Sequence, residues 1–438
     1  MKKFLLASSI ALIFSQAAFS QEQKEELPKS RFESLTKLTQ VIGTVEKYYV
    51  DDLKLQEIVN KAIKGLMEEL DAHSTFLDKK STKEMSIQTN GEFGGLGITV
   101  GMRDGALTVI SPIDGTPADK AGVKAEDIIL KIDNKSTLNM TLEEAVGLMR
   151  GKPKTKIDLT VVRKGENKPL KITIVRDIIK IDSVFAKTIN KNLLYLRVTS
   201  FDKNVASGLT KALNEHKNTK GIILDLRNNP GGLLTQAIGT VDLFVNSGVI
   251  VSQKGRDATD EEKYYAKSST TLTDAPMVVL VNGGSASASE IVSGALQDHK
   301  RAVLVGEKTF GKGSVQAVLP IVKDRSENIK LTIAKYYLPS GRTIQAKGIT
   351  PDVIAYPGKT VSGKDNEFQI KEADLKKHLK GELDKVSKVT KKTKDDKKTK
   401  DDKKTKDDKK VITKEDIAKD NQLNSAINIL KSLIIMNK

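Results

Sequence analysis

The chain has 438 residues, with no cysteine, no tryptophan, only four histidines and 4% aromatic residues. Without cysteine there is no disulfide, thiol nucleophile, zinc–thiolate site or lipid-modified thiol. With so few rings there is no stacking platform for single-stranded nucleic acid. The formal net charge of +17 does not restore that reading, because eleven lysines against six aspartates between 391 and 410 supply five of those charges in one run. No nucleic-acid partner is expected. Long apolar runs are also scarce. The only one lies in MKKFLLASSIALIFSQAAFS, where Lys2 and Lys3 precede an apolar stretch from Phe4 to Phe14, with Ala18 and Ser20 at the end. That is the form of a secretory signal peptide over 1–20, too short for a comfortable bilayer span. It sets an expectation of export to the periplasm of a Gram-negative bacterium, with association to the membrane left open.

A chain this long exceeds one ordinary core, so two to four domains are expected. The segment 21–90 reads as helical, most clearly from Phe32 to Leu77, where VIGTVEKYYV and LQEIVNKAIKGLMEEL place apolar residues at three- and four-residue spacing. From 91 to 178 short apolar strands alternate with turns and one helix, TLEEAVGLMRG. From 179 to 360 strands and helices mix. A C-terminal extension covers 361–390, and a spacer over 391–410 contains three TKDDKK copies. The spacer lacks an apolar residue, so burial cannot repay its ordering and disorder is expected. The segment 411–438 regains helical periodicity, with Leu423, Ile427, Leu430 and Ile434 along one face.

Two strands end in glycine-rich turns that are candidate sites. In APMVVLVNGGSASASEIVSGALQDHK the strand runs into a helix through Ser285, Ser287 and Ser289. A serine there has free helix N–H groups and the positive end of the dipole beside it, which suits a nucleophile. The same letters also form an S-x-x-E capping box, Ser287 to Glu290, that only starts a helix. In GIILDLRNNPGG the glycines let backbone N–H groups approach a reacting carbonyl closely; the alternative is a simple turn with an Arg–Asp pair. A third stretch, GEKTFGKGS, satisfies a phosphate-binding loop at Gly306, Gly311 and Lys312 but has Gly313 where a Mg²⁺-holding hydroxyl is needed. SVQAVLPIV follows and reads as strand, not helix, so the nucleotide reading fails. Alternation along that strand places Lys312, Ser314 and Gln316 on one face. If the face is enclosed, the ammonium loses hydration and becomes a usable base. A histidine triad finds no support in the spacing of His73, His216, His299 and His378.

In the 91–178 module, Gly95, Leu96, Gly97 and Ile98 form a glycine loop before a strand, and Leu142, Ala145, Val146 and Met149 line one helix face. Such a loop suits a terminal carboxylate, and a strand–helix groove takes an added peptide strand. Together with GTPADKAGVKAEDIILKIDN, this resembles a PDZ domain. GGLGI, DLRNNPGG, SASASEI, GEKTFGKGSVQ and KYYLPSGRTIQAKGITPD occur in the order found in the carboxy-terminal processing peptidases, or tail-specific proteases, and the chain resembles that family from about Phe32 to Tyr356 and in the last helix. The resemblance implies a mixed α+β and α/β multidomain chain, with an inserted PDZ domain (91–178), a crotonase-like protease core (179–360) and flanking helical segments. It implies Ser287 as nucleophile, Lys312 as base and Gln316 as the residue that orients it. Ala288 and either Gly231 or Gly232 complete the oxyanion hole. It further implies a PDZ domain that binds the substrate's C-terminus through Gly95, Leu96, Gly97, Ile98, Leu142, Val146 and Met149 and gates the site in a direction left open. Its expected partners are protein or peptide substrates with free C-termini, an adaptor or regulatory protein, and a second copy in a homo-oligomer, a dimer. No cofactor and no metal are expected. Two rival classes stand beside it: a binding protein on the same core, and a PDZ adaptor.

Overall fold

A computed structural model describes residues 27–360 and 411–437, apart from 114, 191 and 258. The signal peptide read over 1–20, the extension 361–390 and the spacer 391–410 lie outside the described residues. The chain divides into two compact units, one of residues up to 77 with 318–331, the other of 78–317 with 332 onward.

In the first unit, helices α1 (Leu27–Tyr48) and α2 (Leu55–Glu68) are followed by strand β1 (Thr75–Leu77). The helix expected to run on to Leu77 therefore stops early. Asp71 explains the break, since its Oδ1 accepts from the N–H groups of His73 and Ser74 at 2.7 and 2.9 Å, closing a turn. The residues beyond, Thr75 and Phe76, favour a strand, and β1 pairs antiparallel with Asn328–Lys330.

The second unit opens with α3 (Lys79–Asn90) and β2 (Glu92–Gly95), then β3 (Ile98–Arg103), β4 (Ala106–Pro112), α4 (Pro117–Lys120), β5 (Ile128–Ile132), β6 (Lys135–Ser136), α5 (Leu142–Met149), β7 (Lys156–Val162), β8 (Leu170–Val175) and β9 (Asp177–Lys180). Strands β2 and β9 pair with each other, so the module between them enters and leaves through one two-stranded stem. Its sheet runs β3-β4-β5-β7-β8, with β3 at the edge, around a core that includes Leu107, Ile129, Leu159 and Ile174. One ion pair is enclosed there: Asp127 is fully buried and accepts from Arg163 Nε at 2.7 Å and Nη2 at 2.8 Å. Burial alone would push Asp127 up; the Arg163 guanidinium and the Lys124 N–H outweigh it and hold the carboxyl below its ordinary value. A group depressed on folding stabilises the fold above its unfolded pKa and loses that contribution as pH falls through the folded one. Arg163→Met leaves the buried Asp127 charge without its guanidinium, with only the Lys124 N–H to offset it, and is expected to cost about 3–5 kcal/mol. Hydrogen exchange on the full chain should show lost protection confined to 94–174; protection unchanged there would refute the assignment.

The remaining elements are β10 (Val184–Ile189), β11 (Leu193–Val198), α6 (Val205–Glu215), β12 (Gly221–Asp225), α7 (Leu234–Asp242), β13 (Val249–Lys254), β14 (Glu261–Tyr265), β15 (Met277–Val281), α8 (Ala288–Asp298), β16 (Val303–Gly306), β17 (Ser314–Pro320), β18 (Asn328–Tyr337), β19 (Val353–Ile354), α9 (Lys414–Lys419) and α10 (Asn421–Met436). Their main sheet has the order β10-β11-β12-β15-β16-β19, parallel from β11 onward. The central strands GIILD and MVVLV are buried on both faces, which is why they read as continuous apolar runs. Alternate residues sort to opposite layers. Ile222, Leu224 and Val279 pack on α6, α7 and α8, whereas Ile223, Val278 and Leu280 pack on Leu423, Ala426, Ile427 and Leu430 of α10. Each leucine or isoleucine so buried is worth about 1.5–3 kcal/mol. A helix distant in sequence thus supplies most of one layer, with Ala355 and Ile412 beside it. Among the described residues no helix is long and apolar enough to cross a membrane.

Candidate active site

Strands β12 and β15 are parallel neighbours, with Asp225 beside Leu280 in register. Their C-terminal ends therefore release two turns side by side, at the edge where α/β sheets build sites. The turns are stitched together. Asn228 N–H donates to Asn282 Oδ1 at 2.8 Å, and Asn282 Nδ2 returns to Asn228 Oδ1 at 2.9 Å. The Ala286 N–H donates to the Asn229 carbonyl at 3.0 Å.

This stitching separates the three serines. Ser285 is fully buried, donating to the Leu226 carbonyl at 2.8 Å and accepting from the Asn282 N–H at 3.0 Å. Ser289 is fully buried and donates to the Asn229 carbonyl at 2.9 Å. Both hold the turns together. Ser287, between them, is partly exposed and has φ 54°, ψ −113°. A non-glycine residue in that region costs about 1–3 kcal/mol and persists only where its surroundings enforce it. Such a strand-to-helix elbow lifts a serine hydroxyl clear of the backbone at the start of a helix.

What enforces it is Glu290, a fully buried carboxylate in the first turn of α8. Its Oε2 accepts from the Ser287 N–H at 2.8 Å and from the Lys312 N–H at 2.8 Å. Its Oε1 accepts from the Gly311 N–H at 2.7 Å and the Thr309 hydroxyl at 2.6 Å. Four donors meet the four acceptor sites of an ionised carboxylate. The Glu290 arm of the expected capping box is present, and it does more than start a helix: it ties the serine elbow to the lysine loop. Sequence reasoning missed this because the partners at 309–312 come from a distant loop.

Lys312 lies before β17, not in it, since the strand begins at Ser314. The alternation expected to align Lys312 with Ser314 and Gln316 does not extend that far. Gly311 has φ 100°, and the Gly311, Lys312 and Gly313 N–H groups go to Glu290 and to Gln345 Oε1, leaving none for a strand neighbour. Gln316, within β17, donates to Ser314 Oγ at 2.8 Å and Thr332 Oγ1 at 3.3 Å. The loop 307–313 is irregular and leads into a strand, the wrong context for a phosphate loop.

The glycines of the first turn differ. A β-carbon added at Gly231 would lie 2.8 Å from Ser287 Cβ and 3.0 Å from the Ala288 nitrogen, whereas one at Gly232 would lie 2.3 Å from the Phe201 carbonyl. Gly231 and Ala288 therefore meet at Ser287, and Gly232 faces another neighbour. The Gly231 N–H donates to Oδ1 of buried Asn229 at 2.9 Å. His216 and His299 place a ring nitrogen against the Ala212 and Val249 carbonyls, at 2.8 and 2.7 Å.

In the smaller module the seven expected binding residues split. Leu96 and Met149 are core residues, 2% and 5% exposed. Gly95 ends β2, and Gly97, at φ 77°, turns into Ile98 at the start of the edge strand β3. Leu142 and Val146 open onto a cleft of about 840 Å³ that Lys83 and Ile87 of α3 also line.

Of the three serines in the turn only Ser287 is accessible, on an enforced elbow with helix N–H groups beside it and a lysine loop bound to the same carboxylate, an arrangement chemically suited to a serine-type hydrolase. The model of peptidase family S41 matches 192–355, and that of the PDZ domain matches 94–174. The chain is 42% identical over 386 residues to a carboxy-terminal-processing protease of Bartonella bacilliformis, covering 87% of this chain and 88% of that one. It is 38% identical over 355 residues to carboxy-terminal processing protease CtpA of Bacillus subtilis, covering 80% and 75%. Among solved structures it is similar to a photosystem II D1 C-terminal processing protease, at 26% identity and a TM-score of 0.42, over 73% of this chain and 92% of that one. The chain belongs to peptidase family S41, as a serine-type carboxy-terminal processing protease with a PDZ domain.

Proposed function

We propose that Ser287 and Lys312 form the catalytic dyad of an exported endopeptidase that cuts protein chains near their C-termini, on a crotonase-like core. The observation that carries this reading is the shared Glu290 oxygen, which holds the backbones of both residues at one point. Neutral Lys312 takes the Ser287 hydroxyl proton as Oγ bonds to the scissile carbonyl carbon, whose oxygen becomes the oxyanion. The N–H groups of Ala288 and Gly231 receive that oxyanion, Gly231 exchanging its contact with Asn229 for it. Collapse breaks the C–N bond, and the departing amine takes the proton from Lys312. Water then adds to the acyl-enzyme, giving a proton to Lys312, and Ser287 leaves with it. Gln316 orients the lysine loop, and the Gly95–Ile98 loop with Leu142 and Val146 receives the substrate's carboxylate and last side chains.

The test is incubation of a disordered protein with the full chain and with Ser287→Ala, the products read by mass spectrometry, and a phosphonofluoridate label mapped by peptide. Cleavage confined to the unaltered chain and a label on Ser287 are expected. A label on Ser285 or Ser289, or equal cleavage by the alanine variant, would sink the assignment.

A further inference from the structure

The first catalytic turn is gripped from the far end of the chain. Arg227 follows buried Asp225 and returns to it through its N–H, Nε and Nη2. Its other face reaches residues 193 and 195 positions away: Nη1 donates to Asp420 Oδ1 at 2.9 Å and to Gln422 Oε1 at 3.0 Å, and Nη2 to Asp420 Oδ2 at 2.8 Å. A bidentate guanidinium–carboxylate pair fixes orientation as well as distance. Asp420 is also the N-cap of α10, accepting from the Leu423 N–H at 3.0 Å, so one carboxylate joins that helix to the turn. Beyond Arg227 the contacts run from Asn228 to Asn282 and from the Asn229 carbonyl to Ala286 and Ser289, and Gly231 lies so near the elbow that a β-carbon on it would come within 2.8 Å of Ser287 Cβ.

We propose that Asp420 is a positioning residue for hydrolysis, acting through Arg227 to hold the Asn228–Gly232 turn against Ser287. The charges in the cluster explain why the pair matters. Asp225 already takes Arg197 at 3.1 Å and the Tyr195 hydroxyl at 2.7 Å, so the cluster comprises two guanidinium groups and two carboxylates. Removing the charge of Asp420 leaves a largely buried arginine sharing Asp225 with Arg197, its charged tie to α10 lost and only the neutral Gln422 contact at 3.0 Å kept on that side. Burial alone would pull Arg227 down and Asp420 up; hydrogen bonds to Asp225 first and Asp420 second hold Arg227 above its ordinary value, and those from Arg227 and the Leu423 N–H hold Asp420 below its own.

The inference rests on Ser287 being the nucleophile, and the test separates the two. In the full chain, Asp420→Asn is expected to lower kcat about 10-fold with KM within twofold, and to slow phosphonofluoridate labelling of Ser287 by the same factor. Asp420→Glu should recover most of both rates. Arg227→Met should be non-additive with Asp420→Asn. Ile427→Val, which trims the same helix at its apolar face, should lower the melting temperature and leave kcat unchanged. A kcat for Asp420→Asn within twofold of the unaltered chain would overturn the inference, as would additive losses in the double variant. Absence of label from Ser287 in the unaltered chain would instead overturn the assignment of the nucleophile.

Discussion

Replacing Glu290 by alanine is expected to reduce hydrolysis by about 1,000-fold or more, on a scale where a 1 Å misplacement of a reacting group costs about 100-fold. The carboxylate is the common acceptor for the N–H groups of Ser287, Gly311 and Lys312 and for the Thr309 hydroxyl. Deleting it orphans four donors, each worth about 1–3 kcal/mol when buried and unpaired. That sum approaches the net stability of a domain, about 5–15 kcal/mol, so melting must be followed alongside rate. Glu290→Gln resolves the two effects. Its amide keeps one acceptor and turns the other position into a donor, which is better borne at the Oε1 position, where one fixed N–H (Gly311) and the rotatable Thr309 hydroxyl meet it, than at the Oε2 position, where the N–H groups of Ser287 and Lys312 are both fixed. The glutamine variant should therefore fold, melt earlier, and keep more activity than the alanine variant. Kinetics and thermal melts on both variants check this; a folded alanine variant at full rate would refute it.

Gly231→Ala is expected to lower kcat by about 100-fold, on the same misplacement scale. The added carbon meets the Ala286 carbonyl oxygen at 2.8 Å, Ser287 Cβ at 2.8 Å and the Ala288 nitrogen at 3.0 Å, none of them the end of a flexible side chain. Something in the elbow must shift. The φ of 101° adds a backbone cost for any residue with a β-carbon. Gly122→Ala provides the control, because Gly122 also has positive φ, 83°, yet has open space where the carbon would go. Both variants should melt earlier, and only the first should lose turnover. Equal kcat in the two would refute steric displacement of Ser287.

Much of the main sheet was legible because its central strands are apolar on both faces and lead into glycine-rich turns, and α10 because Leu423, Ile427 and Leu430 recur at helical spacing. Ser287 stood out as the middle of three serines only through the family resemblance, since its letters alone favoured a helix cap over a nucleophile. In the structure these are not alternatives, since the same Glu290 that reaches back to the elbow also reaches the lysine loop. What stayed hidden was long-range. No local pattern links Glu290 to Thr309, or Arg227 to Asp420, because each pair is joined by topology rather than periodicity. β1 was hidden differently, by an Asp71 turn inside a stretch of helical composition. Lys312 was misplaced by extending strand alternation across Gly311 and Gly313, whose backbone contacts interrupt it.

The position of α10 in the chain has a consequence for the order in which the enzyme comes into being. Synthesis runs from the N-terminus, so every strand of the main sheet and both glycine-rich turns are made before the helix that covers the sheet's second face. Until that helix arrives, Ile223, Val278 and Leu280 have no cover from it and Arg227 lacks its second carboxylate. A growing chain therefore carries Ser287 and both turns before Asp420 exists to grip Arg227, and the charge cluster around Asp225 closes only when synthesis has passed α10.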